Sequence, residues 1–194
     1  VLFPLLASIK SDPAKVRSVY LRAVGAIAIP ATLLFSLLYL FSDPFINSFF
    51  GEQWVPAIGP MRILAISSFI KVIFEPMGTL LNALGMPRLS FTMAIVRGLA
   101  LAVLIVPCLL IWGLEGAAYA TLASTIGGSV LGTYYLNKHI SIRYLDYFQV
   151  TILPIGAAVV STMAVLALRR VEISDWLEIV LGVPVAVAVF FVSL

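Results

Sequence analysis

Long apolar runs separated by short polar segments dominate the pattern along this chain. Three runs contain no charged residue (23–41, 116–137 and 148–168), and three more contain one or two (63–84, 91–114 and 176–194). An α-helix rises about 1.5 Å per residue and the hydrocarbon core of a bilayer is about 30 Å thick, so roughly 20 apolar residues make one span. None of the runs alternates in segments of about ten residues, as barrel strands would. The pattern therefore predicts an all-α polytopic transmembrane bundle of about six complete spans, with residues 1–9 as the tail of a preceding one.

Composition narrows the class of protein. Of the 194 residues, 62% are hydrophobic and only 11% are charged. A soluble domain is near half apolar and about a quarter charged, so this chain has too little polar surface to cover a globule in water. We therefore expect a multi-pass protein of the cell (inner) membrane, with membrane lipids and not nucleic acid as partners.

Motifs for enzymatic chemistry are absent from the sequence. There is no G-x-x-x-x-G-K-[ST] phosphate loop, no H-E-x-x-H pair, no G-x-S-x-G elbow and no C-x-x-C pair, and Cys108 is the single cysteine. These spacings place a nucleophile, a phosphate cradle or metal ligands in known enzyme classes. We therefore predict that the chain is not an enzyme and needs no cofactor or metal.

Basic residues are unevenly divided between the predicted loops. Seven of the 12 Lys and Arg residues lie in the segments around 10–20, 85–90 and 138–147, and three lie in the loops on the other side. Cytoplasmic loops of membrane proteins carry an excess of basic residues. These three segments are therefore expected in the cytoplasm, and the long segment 42–60 is expected outside.

Two further sets of residues bear on the orientation. All three tryptophans fall at the expected external interface, as an aromatic belt would place them: Trp54, Trp112 and Trp176. Arg169 and Arg170 are also on that side and oppose the charge trend. The orientation of the last two spans therefore stays open at this point.

Three ionisable residues lie inside predicted spans. Such groups are costly in a bilayer and usually face a protein interior or a water-filled path. Lys71 and Glu75 are four residues apart and share a helix face, while Glu75 and Arg97 each lie 11 residues from Met86, in the turn between two spans. In a close antiparallel hairpin Glu75 and Arg97 would sit at one depth and could pair. We expect a cluster of net charge +1 within the membrane.

The cluster allows three interpretations. Its charges can form a neutralising salt-bridge network that fixes the hairpin. They can instead line a central substrate cavity that attracts an anionic head group. In the third interpretation, Glu75 couples transport to protons.

Small residues recur at every fourth position of the fourth complete span: Gly116, Ala120, Ser124, Gly128 and Gly132. A stripe of this kind lets another helix approach closely, which is how membrane helices associate when no hydrophobic effect drives them together. The stripe therefore predicts a close helix–helix contact, either a fixed packing face or a surface along which helices slide.

Four short motifs carry a family resemblance. In chain order they are Phe3-Pro4 with Asp12, Arg17 and Tyr20; Phe50-Gly51-x-x-Trp54-x-x-Ala57; Leu81-x-Ala83-Leu84-Gly85-x-Pro87; and Gly113-x-x-Gly116-Ala117-Ala118. With this order and spacing, the chain resembles the polysaccharide-transporter branch of the multidrug/oligosaccharidyl-lipid/polysaccharide flippase superfamily, which includes the O-antigen (Wzx-type), teichuronic acid and colanic acid exporters.

The resemblance implies a fold of two inverted lobes, each of about six helices, around a central cavity. Such proteins move an undecaprenyl-diphosphate-linked oligosaccharide to the outer leaflet by alternating access, and a polysaccharide polymerase and glycosyltransferases are further expected partners. The glycine, tryptophan and proline motif positions are then structural, with Gly51 and Trp54 shaping the outer loop and Gly85 and Pro87 the inner turn.

The resemblance also implies a domain organisation. Residues 1–147 would form membrane helices of the C-terminal lobe, and residues 148–194 an additional, truncated C-terminal hairpin. The chain begins without an initiator methionine and ends within an apolar run. We therefore expect a fragment from which the N-terminal lobe is missing.

Other functions compete with export of a lipid-linked glycan. A multidrug or cation antiporter of the same fold would need unpaired acidic residues in its cavity. A non-transporting membrane scaffold of a glycan-synthesis complex would use the intramembrane charges only structurally. An integral-membrane glycosyltransferase is disfavoured, because no loop offers a carboxylate pair with room for a sugar nucleotide.

Overall fold

The computed structural model describes residues 12–168 and 175–194, which are almost entirely helical and include no strand. The predicted all-α polytopic bundle is confirmed. The predicted tail at residues 1–9, the Phe3-Pro4 motif, and Arg169 with Arg170 lie outside the described residues.

Seven α-helices and one 3₁₀ helix follow one another in the described part of the chain. They are α1 (Pro13–Leu40), α2 (Ser42–Phe49), the 3₁₀ helix (Glu52–Ala57), α3 (Ile58–Phe74), α4 (Pro76–Ala83), α5 (Pro87–Ile140), α6 (Tyr144–Leu168) and α7 (Asp175–Ser193). The segment expected to be an external loop is thus largely helical. Its helices are short, and none of the residues in the 3₁₀ helix is buried.

Helix α5 contains two of the predicted spans. Its 54 residues would measure about 80 Å if straight, far more than a bilayer core. Gly113 breaks it with φ +60° and ψ −138°, a conformation that suits glycine because it has no Cβ. A Cβ built on Gly116 would lie 1.9 Å from the Cys108 carbonyl oxygen, so the two halves fold back on each other. Five described segments are long and apolar enough to cross a membrane. Each half of α5 is itself longer than the roughly 20 residues of one span, so the lengths fit the predicted six crossings.

A second tight turn joins α4 to α5. The Gly85 N–H donates to the Asn82 carbonyl over 3.1 Å and the Met86 N–H to the Leu81 carbonyl over 2.9 Å. These two bonds, with Gly85 at φ +80°, form a Schellman motif that ends α4. Pro87 then begins α5, at a position where its missing N–H costs no hydrogen bond.

The predicted cytoplasmic segments meet at one end of the bundle. Pro13, Val16, Leu84, Met86 and His139 line one small cavity there. The main hydrophobic core lies close by, and α1 contributes residues four apart to it: Val16, Tyr20, Val24 and Ala28. The three basic segments therefore share a side, as the charge pattern predicts.

Candidate functional site

A cavity of about 170 Å³ lies between α3, α4 and α5, and the three intramembrane charges line it together. Lys71 lies in the last turn of α3, Glu75 joins α3 to α4, and Arg97 lies in the first half of α5. Lys71 and Glu75 are exposed and Arg97 is half-buried. The second half of α5 also lines the cavity, with Thr125, Gly128 and Ser129. The lining therefore comes from α3, α4 and both halves of α5.

The register of the α4–α5 pair determines which charges are level. A Cβ on Gly78 would lie 3.4 Å from Ser90 Oγ, so the midpoint of the antiparallel pair falls near residue 84, not at Met86. Glu75 lies nine residues before this midpoint and Arg97 lies 13 residues after it, so the turn is not centred between them as the sequence suggested. The early midpoint follows from the tight Schellman turn at Gly85.

The expected ion pair between Glu75 and Arg97 is not formed. Among the described residues, the ion pairs join Lys15 to Asp12, Arg17 to Asp146, and Arg62 to Asp43. Within that part of the chain, neither Lys71 nor Arg97 is paired with a carboxylate. The register centred near residue 84 offsets Glu75 from Arg97 by about four residues, unlike the register centred on Met86 that the sequence suggested.

One residue of the small-residue stripe, Gly128, lines the cavity. The position of a Gly128 Cβ lies 3.3 Å from Arg97 Cδ, and that of a Gly132 Cβ lies 2.1 Å from Met77 Sδ and 2.4 Å from Met93 Cε. These distances leave little or no room for a side chain, so the absence of one at 128 lets the Arg97 stem lie against the helix backbone. The stripe and the charge cluster, which the sequence presents separately, meet at Gly128 and Arg97.

The cavity also contains hydroxyl groups that the sequence patterns did not predict. Ser90, Thr125 and Ser129 line it, and Thr125 and Ser129 already donate to backbone carbonyls one turn earlier, over 2.9 and 2.8 Å. Thr125, Gly128 and Ser129 have the i, i+3, i+4 spacing of a single helix face, a signal that could have identified them beside the stripe.

The charge of this cavity attracts anions. Two cations and one carboxylate give it a formal net charge of +1, and its volume of about 170 Å³ is sufficient for a phosphate-sized group. In the described residues no group of three or more His, Cys, Asp or Glu side chains is placed to hold a metal ion.

A polar cluster links α1 to α6 at the end of the bundle that the charge pattern predicts to be cytoplasmic. This end is called the cytoplasmic end below, and the opposite one the external end, after that prediction. Arg17 donates to Asp146 over 2.7 Å, and the hydroxyls of Tyr20 and Tyr147 are 2.8 Å apart. Asp146 also accepts the Arg143 backbone N–H over 2.8 Å. Arg17 and Tyr20 belong to a family motif, but their partners lie more than 120 residues away along the chain, so no local pattern could identify them.

The external end is held by a half-exposed ion pair and by aromatic rings. Arg62 pairs with Asp43, donates to Ser42 Oγ over 2.8 Å and lies over the Tyr39 ring. The Trp54 ring packs on Phe50, and that of Trp176 on Phe49.

Gly51 lies in the same segment with φ +81°, and a Cβ built on it would meet no atom within 4 Å. The glycine requirement there is therefore conformational and not steric.

Comparison with known proteins gives a consistent set of relatives. Residues 1–59 match a family described as "Polysaccharide biosynthesis protein". The teichuronic acid biosynthesis protein TuaB of Bacillus subtilis is 33% identical over 91 residues, which are 47% of this chain and 19% of the relative. The lipopolysaccharide biosynthesis protein WzxC of Escherichia coli is 29% identical over 190 residues, 96% of this chain and 33% of the relative.

A further relative comes from Haloferax volcanii. A protein of Haloferax volcanii named a probable low-salt glycan biosynthesis flippase is 26% identical over 151 residues, 77% of this chain and 32% of the relative. No solved structure matches the chain. The chain spans between about a fifth and two fifths of the length of the curated relatives it matches. Its resemblance to the polysaccharide-transporter family is confirmed: it is a multi-pass helical membrane chain similar to polysaccharide biosynthesis proteins and glycan flippases.

Proposed function

We propose that this chain is part of a flippase that moves a lipid-linked oligosaccharide or polysaccharide repeat unit across the cell membrane by alternating access. The similarity to WzxC and to the Haloferax flippase supports a role in glycan export. The observation that carries the proposal is that two cations, Lys71 and Arg97, line one cavity and that neither has a carboxylate partner among the described residues.

The cavity's charge matches the anionic part of such a substrate. A lipid-linked repeat unit carries a phosphate or diphosphate between its hydrocarbon chain and its sugars. A guanidinium and an ammonium form short, charge-assisted hydrogen bonds with phosphate oxygens, and these bonds are stronger away from bulk water. Lys71 and Arg97 would hold the phosphate, while the larger glycan occupies the space outside this small cavity.

This role is non-enzymatic. Movement between leaflets breaks no covalent bond, so it requires a binding group and a change of exposure but no nucleophile or general base. The undecaprenyl-diphosphate-linked oligosaccharide implied by the resemblance is the substrate class proposed, and the inner membrane the location.

Substitutions in the full-length protein test the proposal. Arg97→Ala and Lys71→Ala each remove a charged hydrogen bond worth about 1.5–3 kcal/mol, so glycan export should fall at least tenfold. Arg97→Lys should retain part of the activity, because it retains the charge. Arg88→Ala is the matched control: Arg88 is an exposed basic residue near the start of the same helix, outside the cavity, and its loss should leave export unchanged.

The readout is the amount of lipid-linked glycan on each leaflet, measured in cells that lack the native gene and normalised to protein inserted in the membrane. Full export by the Lys71→Ala, Arg97→Ala double variant would overturn the proposal and favour the scaffold interpretation.

A cation or proton antiporter of the same fold is the second candidate, and Glu75 is the observation that favours it. Its carboxylate lines the same cavity, and none of the ion pairs in the described part of the chain includes it. Glu75→Gln removes the titratable group while preserving shape. An antiporter would lose its dependence on the proton or cation gradient with this change, whereas a flippase that relies on Lys71 and Arg97 would keep exporting glycan.

A further inference from the structure

A second cavity, separate from the cationic one, lies between α1 and α6, and Leu194, which follows α7, also lines it. Its volume is about 490 Å³, and its apolar walls come from Gly25 and Ile29 on α1 and from Val150, Leu153 and Pro154 on α6. A Cβ on Gly25 would lie 3.7 Å from Val150 Cβ, so the two helices touch at the floor of this groove. Leu153 is 57% exposed there, which leaves apolar surface uncovered along the wall.

Polar groups collect at one end of this groove, which we call the α1–α6 groove. Ser18, Arg22 and Gln149 line that end, and all three are exposed. Arg17, five residues before Arg22, is held by Asp146. Arg22 itself makes no ion pair with any residue that the structure describes, so its guanidinium is available to an anion at the mouth of the groove.

The charge around this mouth favours an anionic ligand. At the same end of the bundle the described residues include six basic side chains (Lys15, Arg17, Arg22, Arg88, Lys138 and Arg143) against two acidic ones (Asp12 and Asp146). The surface therefore carries a net charge of +4, and basic residues at the cytoplasmic face of a membrane attract anionic lipid head groups.

The length of the groove selects a lipid of one leaflet. Ser18 and Ile29 are 11 residues apart on α1, which is about 16 Å along the helix, close to half of the roughly 30 Å hydrocarbon core. A free phosphate would leave the apolar wall bare, and a chain long enough to cross both leaflets would extend beyond the groove.

We infer that the α1–α6 groove binds an anionic phospholipid of the cytoplasmic leaflet. One acyl chain lies along Ile29 and Leu153, and the phosphate is held by Arg22, with Gln149 and Ser18 as further hydrogen-bonding groups. The lipid contacts both helices and so adds to the links between α1 and α6. This site is independent of the cargo cavity, because the two cavities share no lining residue.

Lipid titration of the purified, delipidated full-length protein tests the inference. Phosphatidylglycerol and phosphatidylethanolamine with identical acyl chains are added, and bound lipid is counted by native mass spectrometry while the melting temperature is followed. Phosphatidylglycerol should bind several-fold more tightly and raise the melting temperature more, since a ligand that binds only the folded state stabilises it.

Two variants and a matched control locate the site. Arg22→Gln should weaken phosphatidylglycerol binding about fivefold, the effect of one basic residue at a membrane surface, and Arg22→Lys should restore it. Leu153→Trp should fill the groove and weaken the binding of both lipids. Arg88→Gln removes a basic residue at the same end but outside the groove, so it should weaken phosphatidylglycerol binding much less than Arg22→Gln does.

Three results would overturn the inference. Equal binding of the two lipids would show that charge is not recognised. Equal loss in Arg22→Gln and Arg88→Gln would show a diffuse surface effect in place of a site. Displacement of phosphatidylglycerol by a polyprenyl diphosphate at equal concentration would assign the groove to the cargo. Each result is obtained without a transport assay, so it is separable from failure of the proposed flippase function.

Discussion

Replacement of Gly116 by alanine tests whether the two halves of α5 pack backbone against backbone. The new Cβ would lie 1.9 Å from the Cys108 carbonyl oxygen and 2.3 Å from its carbonyl carbon. An ordinary carbon–oxygen contact is about 3.3 Å, so the helices must separate by more than 1 Å. Neither obstacle is a flexible side chain, so the strain cannot be relieved locally. Overpacking of this kind costs about 1–3 kcal/mol.

The same helix provides graded controls. At Gly127 no atom lies within 4 Å of the position that a Cβ would take, so Gly127→Ala should be neutral or slightly stabilising through helix propensity. At Gly132 the obstacles are the ends of Met77 and Met93, which can move because methionine is flexible. We expect the destabilisation to increase in the order Gly127, Gly132, Gly116.

Thermal unfolding of the detergent-solubilised protein measures this series. A loss of about 1–3 kcal/mol should lower the melting temperature by roughly 3–10 °C in a chain of this size, with ligand and detergent held constant. If Gly116→Ala melts at the temperature of Gly127→Ala, the close contact between the two halves is wrong, and so is the sharp reversal at Gly113.

Two further predictions concern the cytoplasmic end. Asp146→Asn should destabilise the protein by about 1–3 kcal/mol, because the Asp146 side chain is only 9% exposed and loss of its charge leaves Arg17 without its partner. Lys15→Gln should cost under about 0.5 kcal/mol, because the side chains of the Lys15–Asp12 pair are 72% and 41% exposed. Equal melting temperatures for the two variants would contradict the difference in burial. Hydrogen bonds, first that from the Lys15 backbone N–H, lower the pKa of Asp12 below its ordinary value of about 3.9. A carboxyl whose pKa is lower in the folded than in the unfolded state stabilises the fold above its unfolded pKa and loses that contribution as the pH falls through the folded pKa. The stability difference between wild type and Asp12→Ala, measured by thermal melts from pH 7 to pH 2, should therefore shrink below about pH 4. A constant difference across that range would refute stabilisation of the first turn of α1 by the Asp12 carboxylate, which accepts hydrogen bonds from the Ala14 and Lys15 backbone N–H groups.

Hydropathy was sufficient to predict the long apolar helices, because a span is defined by about 20 apolar residues whatever its neighbours are, but it did not predict the short helices between residues 42 and 57. The count of six crossings depended on dividing the segment 87–140 near residues 113–116, where Gly113 and Gly116 belong to a motif of the sequence. The small-residue stripe likewise indicated a close helix contact, since the spacing of small residues along one helix can be read directly from the sequence.

Relations between helices were less predictable, because they depend on turn geometry and on distant partners. Equal spacing about Met86 suggested a pair between Glu75 and Arg97, but the Schellman turn at Gly85 shifts the midpoint of the α4–α5 pair to near residue 84, and this ion pair is not formed. The sequence could not identify Asp146 as the partner of Arg17, because the chain contains several carboxylates far from Arg17. The packing of α1 on α6 determines which of them forms the pair.

The two ends of the bundle differ in how firmly they are tied. At the cytoplasmic end, Tyr20 and Tyr147 are buried and joined by hydroxyl groups, next to a nearly buried carboxylate. At the other end, Arg62 and Asp43 are each more than a third exposed and the aromatic rings lie at the surface. Segments with few buried contacts open first under thermal fluctuation. Fraying of the described bundle therefore starts at the external end, and backbone amides of α2 should exchange with solvent before those beside Tyr147.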